Sequence, residues 1–336
     1  QQTTEEIGYF VLGSGAALNI YIYTTKSSLN ITESPTNIIA MYFLRAPALA
    51  LNLSSFTNLV TLDAGGWDKS KVSLDDIKAR AHPTSGVLKN FVAPDNLDTI
   101  STNSQFGDST IANSTKFDSF TARGLKTITG VGIFRYAVID TLNLPSLESI
   151  TVTGSFGTLE KATINTLKLP SLTTITGVYT FSYLNTNGNP LSLPKLVSIT
   201  GSYTFYKLMS STLTLRTNLK ISKPSSDDNF YYCCSDISIS DTFLNLLYST
   251  NGGTPMNEVN LSMSTSEPIT GTPGQWRMNA TGSEFLTKLK TITLRPAESM
   301  PTPPSNFTIK GAPWNTTLTL GAPDSEGVYT WTKPST

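Results

Sequence analysis

The sequence predicts a mainly β chain whose middle is a parallel β-solenoid with coils of about 22–25 residues. Three observations carry this. LPSLTTITGVYTF at 169–181 is rewritten as LPKLVSITGSYTF at 193–205, and self-similarity at a fixed period is the signature of stacked supersecondary units. An L-x-x-I-T element begins at Leu125, Leu147, Leu172 and Leu196, in steps of 22, 25 and 24, with an aromatic nine residues later at Phe134, Phe156, Phe181 and Phe205. A Leu-x-Leu element recurs as LNLP, LKLP, LSLP, LTLR and ISIS, so that Leu144, Leu169, Leu193, Leu215 and Ile239 follow one another by 25, 24, 22 and 24.

Each element has a physical reading. Leu-x-Leu is a short strand with apolar residues on one face. The proline that usually follows cannot donate to a ladder, so it ends the strand. Leu-x-x-Ile returns two apolar residues to the interior at near-helical or 3₁₀ spacing, and Ser/Thr-Gly-x-x-Phe closes the coil. One such coil cannot bury its own apolar face, whereas stacked copies form continuous buried columns.

From the N-terminus, residues 1–50 read as strands (YFVLGSG, LNIYIYTT, IIAMYFLRA) that form a β cap over the first coil. The solenoid is expected over 51–295, clearest at 120–240, with weaker copies from Leu51, Phe91, Val259 and Leu286. SLDDIKARA (73–81) and DTFLNLLYST (241–250) read as short helices inserted into coils. From 296 to 336 the chain is first proline-rich and then β-like: either a linker plus a small β element, or an arm that packs on another subunit. The start at Gln1 suggests a processed or excised chain.

The repeat LPSLTTITGVYTFSYL (169–184) and its copy LPKLVSITGSYTFYKL (193–208) resemble leucine-rich repeats of the BspA-like class, found in bacterial and some protist surface proteins and in phage structural proteins. The likeness is good over 120–240. Pro or Ser stands where the asparagine ladder of the more familiar repeat would begin, and the cysteine caps of many animal members are absent. The resemblance implies a leucine-rich-repeat-like solenoid used for adhesion, or a part of a phage that faces its receptor.

Composition agrees with a surface role. Among 336 residues, 24 basic side chains balance 24 acidic ones and only 14% are charged, against about 25% in ordinary soluble domains. Such a balance gives no electrostatic footprint for nucleic acid. No apolar run reaches the length of a membrane-spanning helix, so direct membrane insertion is not expected. A surface built from Ser, Thr and Asn suggests an extracellular setting, at a cell or virion surface. Asn-X-Ser/Thr sequons at Asn30, Asn52, Asn113, Asn260, Asn279, Asn306 and Asn315 are possible glycosylation sites. The adjacent Cys233 and Cys234 are either small apolar core residues or a vicinal or intermolecular disulfide.

Catalytic patterns are sparse. His82 is the only histidine and reads as a surface or capping residue. No G-x-S-x-G elbow occurs, and GSGAA at 13–17 lacks the G-K-[ST] ending of a phosphate loop. The pairs Glu5-Glu6, Asp75-Asp76 and Asp227-Asp228 are adjacent in sequence rather than opposed across a cleft. We therefore expect no enzyme and no cofactor, although parallel solenoids also host polysaccharide lyases. The expected binding face is the outward row Asn143, Lys168, Ser192, Thr214 and Ser238, with Thr141, Thr166 and Thr212 beside it. Its partner would be a protein or a glycan, or copies of the chain itself in an assembly. Tyrosines 179, 183, 203, 206, 231 and 232 either stack on such a partner or half-pack the coil edges.

Overall fold

The computed structural model describes residues 8–206 and 208–210 throughout, and beyond them the backbone of strand segments up to Thr332. The chain is mainly β, 32% strand and 6% helix, and its parallel sheets form a solenoid of about eight turns roughly 24 residues apart. Two sheets face each other across one core.

The larger sheet is eight-stranded. Its strands are β1 (Tyr9–Ser14), β2 (Ala17–Tyr23), β3 (Ile38–Arg45), β4 (Thr61–Asp63), β5 (Asn90–Val92), β7 (Lys116–Thr121), β9 (Val138–Asn143) and β11 (Thr163–Lys168). Only β1 and β2 are antiparallel. They form a hairpin whose turn uses Gly15 at φ +61°, a conformation open to glycine at no steric cost. GSGAA is thus a turn between strands. From β2 onward every pairing is parallel, so the N-terminal strands continue the same sheet as the coils. Phe43 stacks on Trp67 at 4.1 Å, and the Trp67 indole donates to the Leu49 carbonyl at 2.7 Å.

The smaller sheet corrects the near-helical reading of Leu-x-x-Ile. Its strands are β6 (Thr99–Ile100), β8 (Thr127–Ile128), β10 (Ser149–Thr151), β12 (Thr174–Thr176), β14 (Ser198–Thr200) and β16 (Lys220–Ser222), all parallel and in order. Leucines 125, 147, 172 and 196 precede these strands and are fully buried, as are Ile128, Ile150, Ile175 and Ile199 inside them. Inward Ile flanked by outward Ser or Thr is β alternation, and the β-branched residues favour it.

A second correction concerns the aromatic column. Phe134, Phe181 and Phe205 are fully buried, but Phe156 is 44% exposed. The Phe134 amide donates to Thr158 O and the Leu159 amide to Thr180 O, so Leu159 occupies the column between Phe134 and Phe181. The true steps are 25, 22 and 24. The reason lies downstream. Leu159, Ala162 and Ile164 reproduce the buried spacing of Phe134, Ala137 and Ile139, and seating Phe156 instead would throw all three out of register.

The inserted helix α1 (Leu74–Arg80) forms as read. Ser73 caps it by accepting from the Asp76 amide at 3.2 Å, Asp75 and Asp76 lie in its first turn, and Lys78 and Arg80 lie in its last. Arg80 fastens α1 to the preceding coil. It pairs with Asp76 at 2.8 Å and donates to the carbonyls of Phe56 and Leu53. The weaker copies from Leu51 and Phe91 belong to the core through Leu53, Phe56, Leu59, Phe91, Leu97 and Ile100.

Further on, β13 (Leu191–Leu193), β15 (Thr212–Leu215) and β17 (Asp236–Ile237) make a separate parallel sheet. The segments read as downstream copies supply strands Val259–Leu261 and Thr291–Leu294 to a seven-stranded sheet. That sheet also takes Asn306–Lys310, Thr317–Leu320 and Tyr329–Thr332 from the C-terminal stretch. Of the expected helix at 241–250, residues 241–249 lie outside the described residues and Thr250 begins a strand (Thr250–Asn251); Cys233–Cys234, Glu5–Glu6 and Asp227–Asp228 also lie outside them.

Candidate functional site

The outer face of the larger sheet is organised in columns, because strands paired in register place like positions side by side; the only shifts in these pairings, at Leu18/Asn19 and Ile22/Tyr23 between β2 and β3, flank the Tyr21–Tyr42 pair. One column runs Thr61, Asn90, Ser119, Thr141 and Thr166. Ser119 donates to Asn90 Oδ1 at 2.8 Å, and Asn90 lies 3.4 Å from Thr61 Oγ1. The next runs Phe10, Tyr21, Tyr42, Asp63, Val92, Thr121, Asn143 and Lys168. A third sits at the bend of the strands, where Asn165 donates to Asp140 Oδ1 at 2.6 Å and Asn187 donates to Asn165 Oδ1.

Of the expected binding face, Thr141 pairs with Thr166 and Asn143 with Lys168. Thr166 and Lys168 are exposed, Thr141 and Asn143 half-buried. The row then breaks. Ser192 is exposed but sits on β13, facing Thr214 on β15, while Thr212 faces Asp236. Ser238 lies outside the described residues. The break has a local cause. Thr163 bridges Asn185 and Leu167 precedes Leu191 by 24 residues, so this coil carries two extra residues inside the strand. They form a turn at Asn187 (φ +50°) and Gly188 (φ +81°), followed by Pro190, which has no amide to donate. Spacing between Leu-x-Leu elements hides this: the step from Leu169 to Leu193 is 24 after one of 25, because the arc from Leu172 to Phe181 is three residues shorter than that from Leu147 to Leu159 and offsets the two added.

The first three residues of the second column form an aromatic stack that sequence reading missed. Phe10 lies 4.8 Å from Tyr21, and Tyr21 4.7 Å from Tyr42, with nearly parallel rings. Burial first, then Tyr21 and Asp63 nearby, push the Tyr42 hydroxyl above its ordinary pKa, so it remains a hydrogen-bond donor. Alternation within YFVLGS and LNIYIY was the available signal.

The tyrosines of the repeat stand at a corner of the coils. Tyr179 stacks on Tyr203 at 4.9 Å, and Tyr206 meets both Tyr183 and Tyr203 edge-on at 5.4 Å. Tyr136, Tyr179, Tyr183 and Tyr203 have φ between 54° and 60°, a left-handed conformation that costs L-residues about 1–2 kcal/mol. All four are half-buried, so they pack the edge while leaving part of each ring in solvent. Lys161 lies between Tyr136 and Tyr183, with its ammonium 5.3 and 5.8 Å from the ring centres. Beside it, the Arg135 guanidinium covers Phe156 at 3.9 Å and Tyr136 at 5.0 Å, and pairs with Glu160 at 3.5 Å. Tyr231 and Tyr232 lie outside the described residues.

Sites of other kinds are placed as follows. Asn30, Asn52 and Asn113 are exposed; Asn260, Asn279 and Asn306 lie on strand segments of the seven-stranded sheet, and Asn315 lies outside the described residues. His82 follows α1 and contacts Thr84 through Nδ1. Asp75 accepts from Gln105 at 2.8 Å while Asp76 holds Arg80. Among the described residues no three His, Cys, Asp or Glu side chains are grouped as a metal would require, and no helix is long and apolar enough to cross a membrane. No family model, curated protein or solved structure matches this chain.

Proposed function

We propose that the protein is a non-enzymatic recognition module of an extracellular, cell or virion surface, which binds a protein or glycan through the outer face of its larger sheet. The observation that carries this reading is the column Thr61, Asn90, Ser119, Thr141 and Thr166: neutral hydrogen-bonding side chains held in line by the backbone register. Repetition of one chemical group along a rigid axis suits an extended partner. The BspA-like resemblance of the repeat points the same way. The test is binding to glycan and host-protein arrays by the wild type and by a variant carrying Ser119→Tyr and Thr166→Tyr. Loss of binding with an unchanged unfolding midpoint supports the reading; binding that survives both bulky substitutions refutes it.

A second reading, a structural subunit of an extracellular filament, appendage or virion, is favoured by β1. Among the described residues this strand pairs with β2 alone; it carries no charged residue and leaves Phe10 and Leu12 about half exposed. Natural sheets usually guard such an edge with charge or proline. Light scattering decides between the two: concentration-dependent polymers abolished by Val11→Pro favour assembly, and a monomer at all concentrations excludes it.

A further inference from the structure

The outer face of the smaller sheet is a second surface, distinct from the one above, and nothing in the recognition reading uses it. Each coil from β6 to β14 presents a three-residue unit: an outward hydroxyl, an inward isoleucine and a second outward hydroxyl. The first row is Thr99, Thr127, Ser149, Thr174 and Ser198; the second is Ser101, Thr129, Thr151, Thr176 and Thr200. Thr129 lies just past β8, yet its amide still bonds Ile100 O at 3.0 Å, so the ladder continues through it. Between the rows, Ile100, Ile128, Ile150, Ile175 and Ile199 are 0–2% exposed and fix the backbone from beneath. No register slip interrupts these pairings.

The result is a two-dimensional lattice of hydroxyl and methyl groups, about 4.8 Å apart along the solenoid and about 6.7 Å along each strand. All ten positions are exposed or half-buried, and none is charged. Within these ten positions there is no ion to offer an ionic partner; charge stands at the margins, at exposed Asp98, Lys126 and Glu148 and at Lys220, which pairs with Ser198. The ten positions also have no aromatic ring to stack on a sugar and no amide to read one. Its extent, roughly 20 by 7 Å, is far below the about 800 Å² per partner that a specific protein interface buries.

What a lattice of this kind can do is hold water. The methyl groups of the seven threonines confine first-layer water, while the hydroxyls anchor it at fixed sites, Ser149 and Thr127 as a pair joined by a 3.3 Å hydrogen bond. Water held at two regular spacings is ordered in two dimensions, as the surface layer of crystalline water is. The geometry points to the outer face of the smaller sheet as an ice-binding surface, its ligand being crystalline water.

The experiment uses the whole purified chain. Uptake into a slowly growing ice hemisphere and the gap between melting and freezing points are measured for wild type, Thr151→Tyr, Thr176→Tyr and, on the opposite sheet, Lys168→Tyr. Enrichment in ice and a measurable freezing gap are expected for wild type and Lys168→Tyr, with loss to the level of a non-binding control protein for both threonine variants. Their urea midpoints report whether they remain folded, and Thr176→Val, which keeps shape and removes one hydroxyl, supplies a milder variant with partial loss. Exclusion of the wild type from ice overturns the inference, as does wild-type uptake by folded Thr151→Tyr and Thr176→Tyr. Retention on microcrystalline cellulose or chitin, lost in the same two variants without any ice uptake, would assign the face to a polysaccharide and overturn it as well.

Discussion

Replacing Phe156 by alanine tests the register of the whole stack, because the repeat pattern and the structure assign this residue opposite fates. By pattern Phe156 is equivalent to Phe134; in the structure Leu159 takes that place. Full burial of a phenylalanine side chain is worth about 1.5–3 kcal/mol, and Phe156 keeps 44% of its surface exposed, so roughly half of that remains. Contact with the Arg135 guanidinium at 3.9 Å adds about 0.5–1 kcal/mol. The expected cost of Phe156→Ala is therefore about 1.5–2.5 kcal/mol. Phe134 is fully buried and stacks 5.6 Å from Phe106, so Phe134→Ala loses transfer energy and leaves a cavity, about 3–5 kcal/mol in all. Leu159→Ala should fall near 2–5 kcal/mol for the same reason. Urea unfolding followed by tryptophan fluorescence measures all three, and equal slopes are required before midpoints are converted to free energies. If Phe156→Ala costs as much as Phe134→Ala while Leu159→Ala is mild, the assigned column is wrong.

Other expectations follow from single contacts. Thr158 and Thr180 are buried with side-chain hydroxyls that find no partner; an unsatisfied buried hydroxyl costs about 1–3 kcal/mol, so Thr158→Val and Thr180→Val should each raise the urea midpoint, and a drop in both would show that the hydroxyls are bonded. At Gly157 a Cβ would overlap the Tyr179 carbonyl oxygen; Gly157→Ala should give a strongly destabilised or insoluble chain, and a wild-type melting temperature would contradict the tight approach of these coils. Acid should destabilise the fold. Asp68 is held below its ordinary pKa of 3.8 by hydrogen bonds from Ser70, Asp98 by Lys69, and Asp108 by the Ser109 amide with help from Lys78. A carboxyl depressed in the folded state stabilises above its unfolded value and loses that contribution as pH falls through the folded one. The midpoint should hold steady from pH 7 to about 5 and fall below about 4, with a shallower fall in Asp108→Asn; identical acid profiles would remove Asp108 from the account.

The sequence made the solenoid legible because its core residues are periodic and its markers agree: Ile128, Ile150, Ile175 and Ile199 repeat at the step of their leucines and stack as that step requires. Their secondary structure was harder to read. Leu-x-x-Ile fits a helical turn and a turn-plus-strand equally well over so few residues, and only the neighbouring coil, by pairing with Ile, decides. Phe156 was misplaced because it stands nine residues after Leu147, the spacing of the aromatic in the other coils. In this coil three extra residues follow Leu147, so the column falls on Leu159 and the step to Leu172 grows from 22 to 25 residues. The polar row was legible at Thr141, Asn143, Thr166 and Lys168, whose coils pair residue for residue. It failed past Lys168, where the Asn187–Gly188 turn interrupts the strand. The Phe10, Tyr21 and Tyr42 stack escaped because cross-strand neighbours come from three different stretches, and only pairing brings them together.

The turn at Asn187–Gly188 divides the larger sheet, yet across the same coil the smaller sheet runs on from β12 to β14 to β16 without a slip. One wall of the solenoid therefore acts as its spine and the other as a row of shutters that can differ in width. Chain length can vary on the shutter side without disturbing the order of the stack, as the coil lengths of 22 to 29 residues between paired strands already illustrate. A foreign loop grafted between Asn187 and Gly188 would hang from the shutters and leave the spine intact, which makes this turn the natural place to attach a new epitope to the protein.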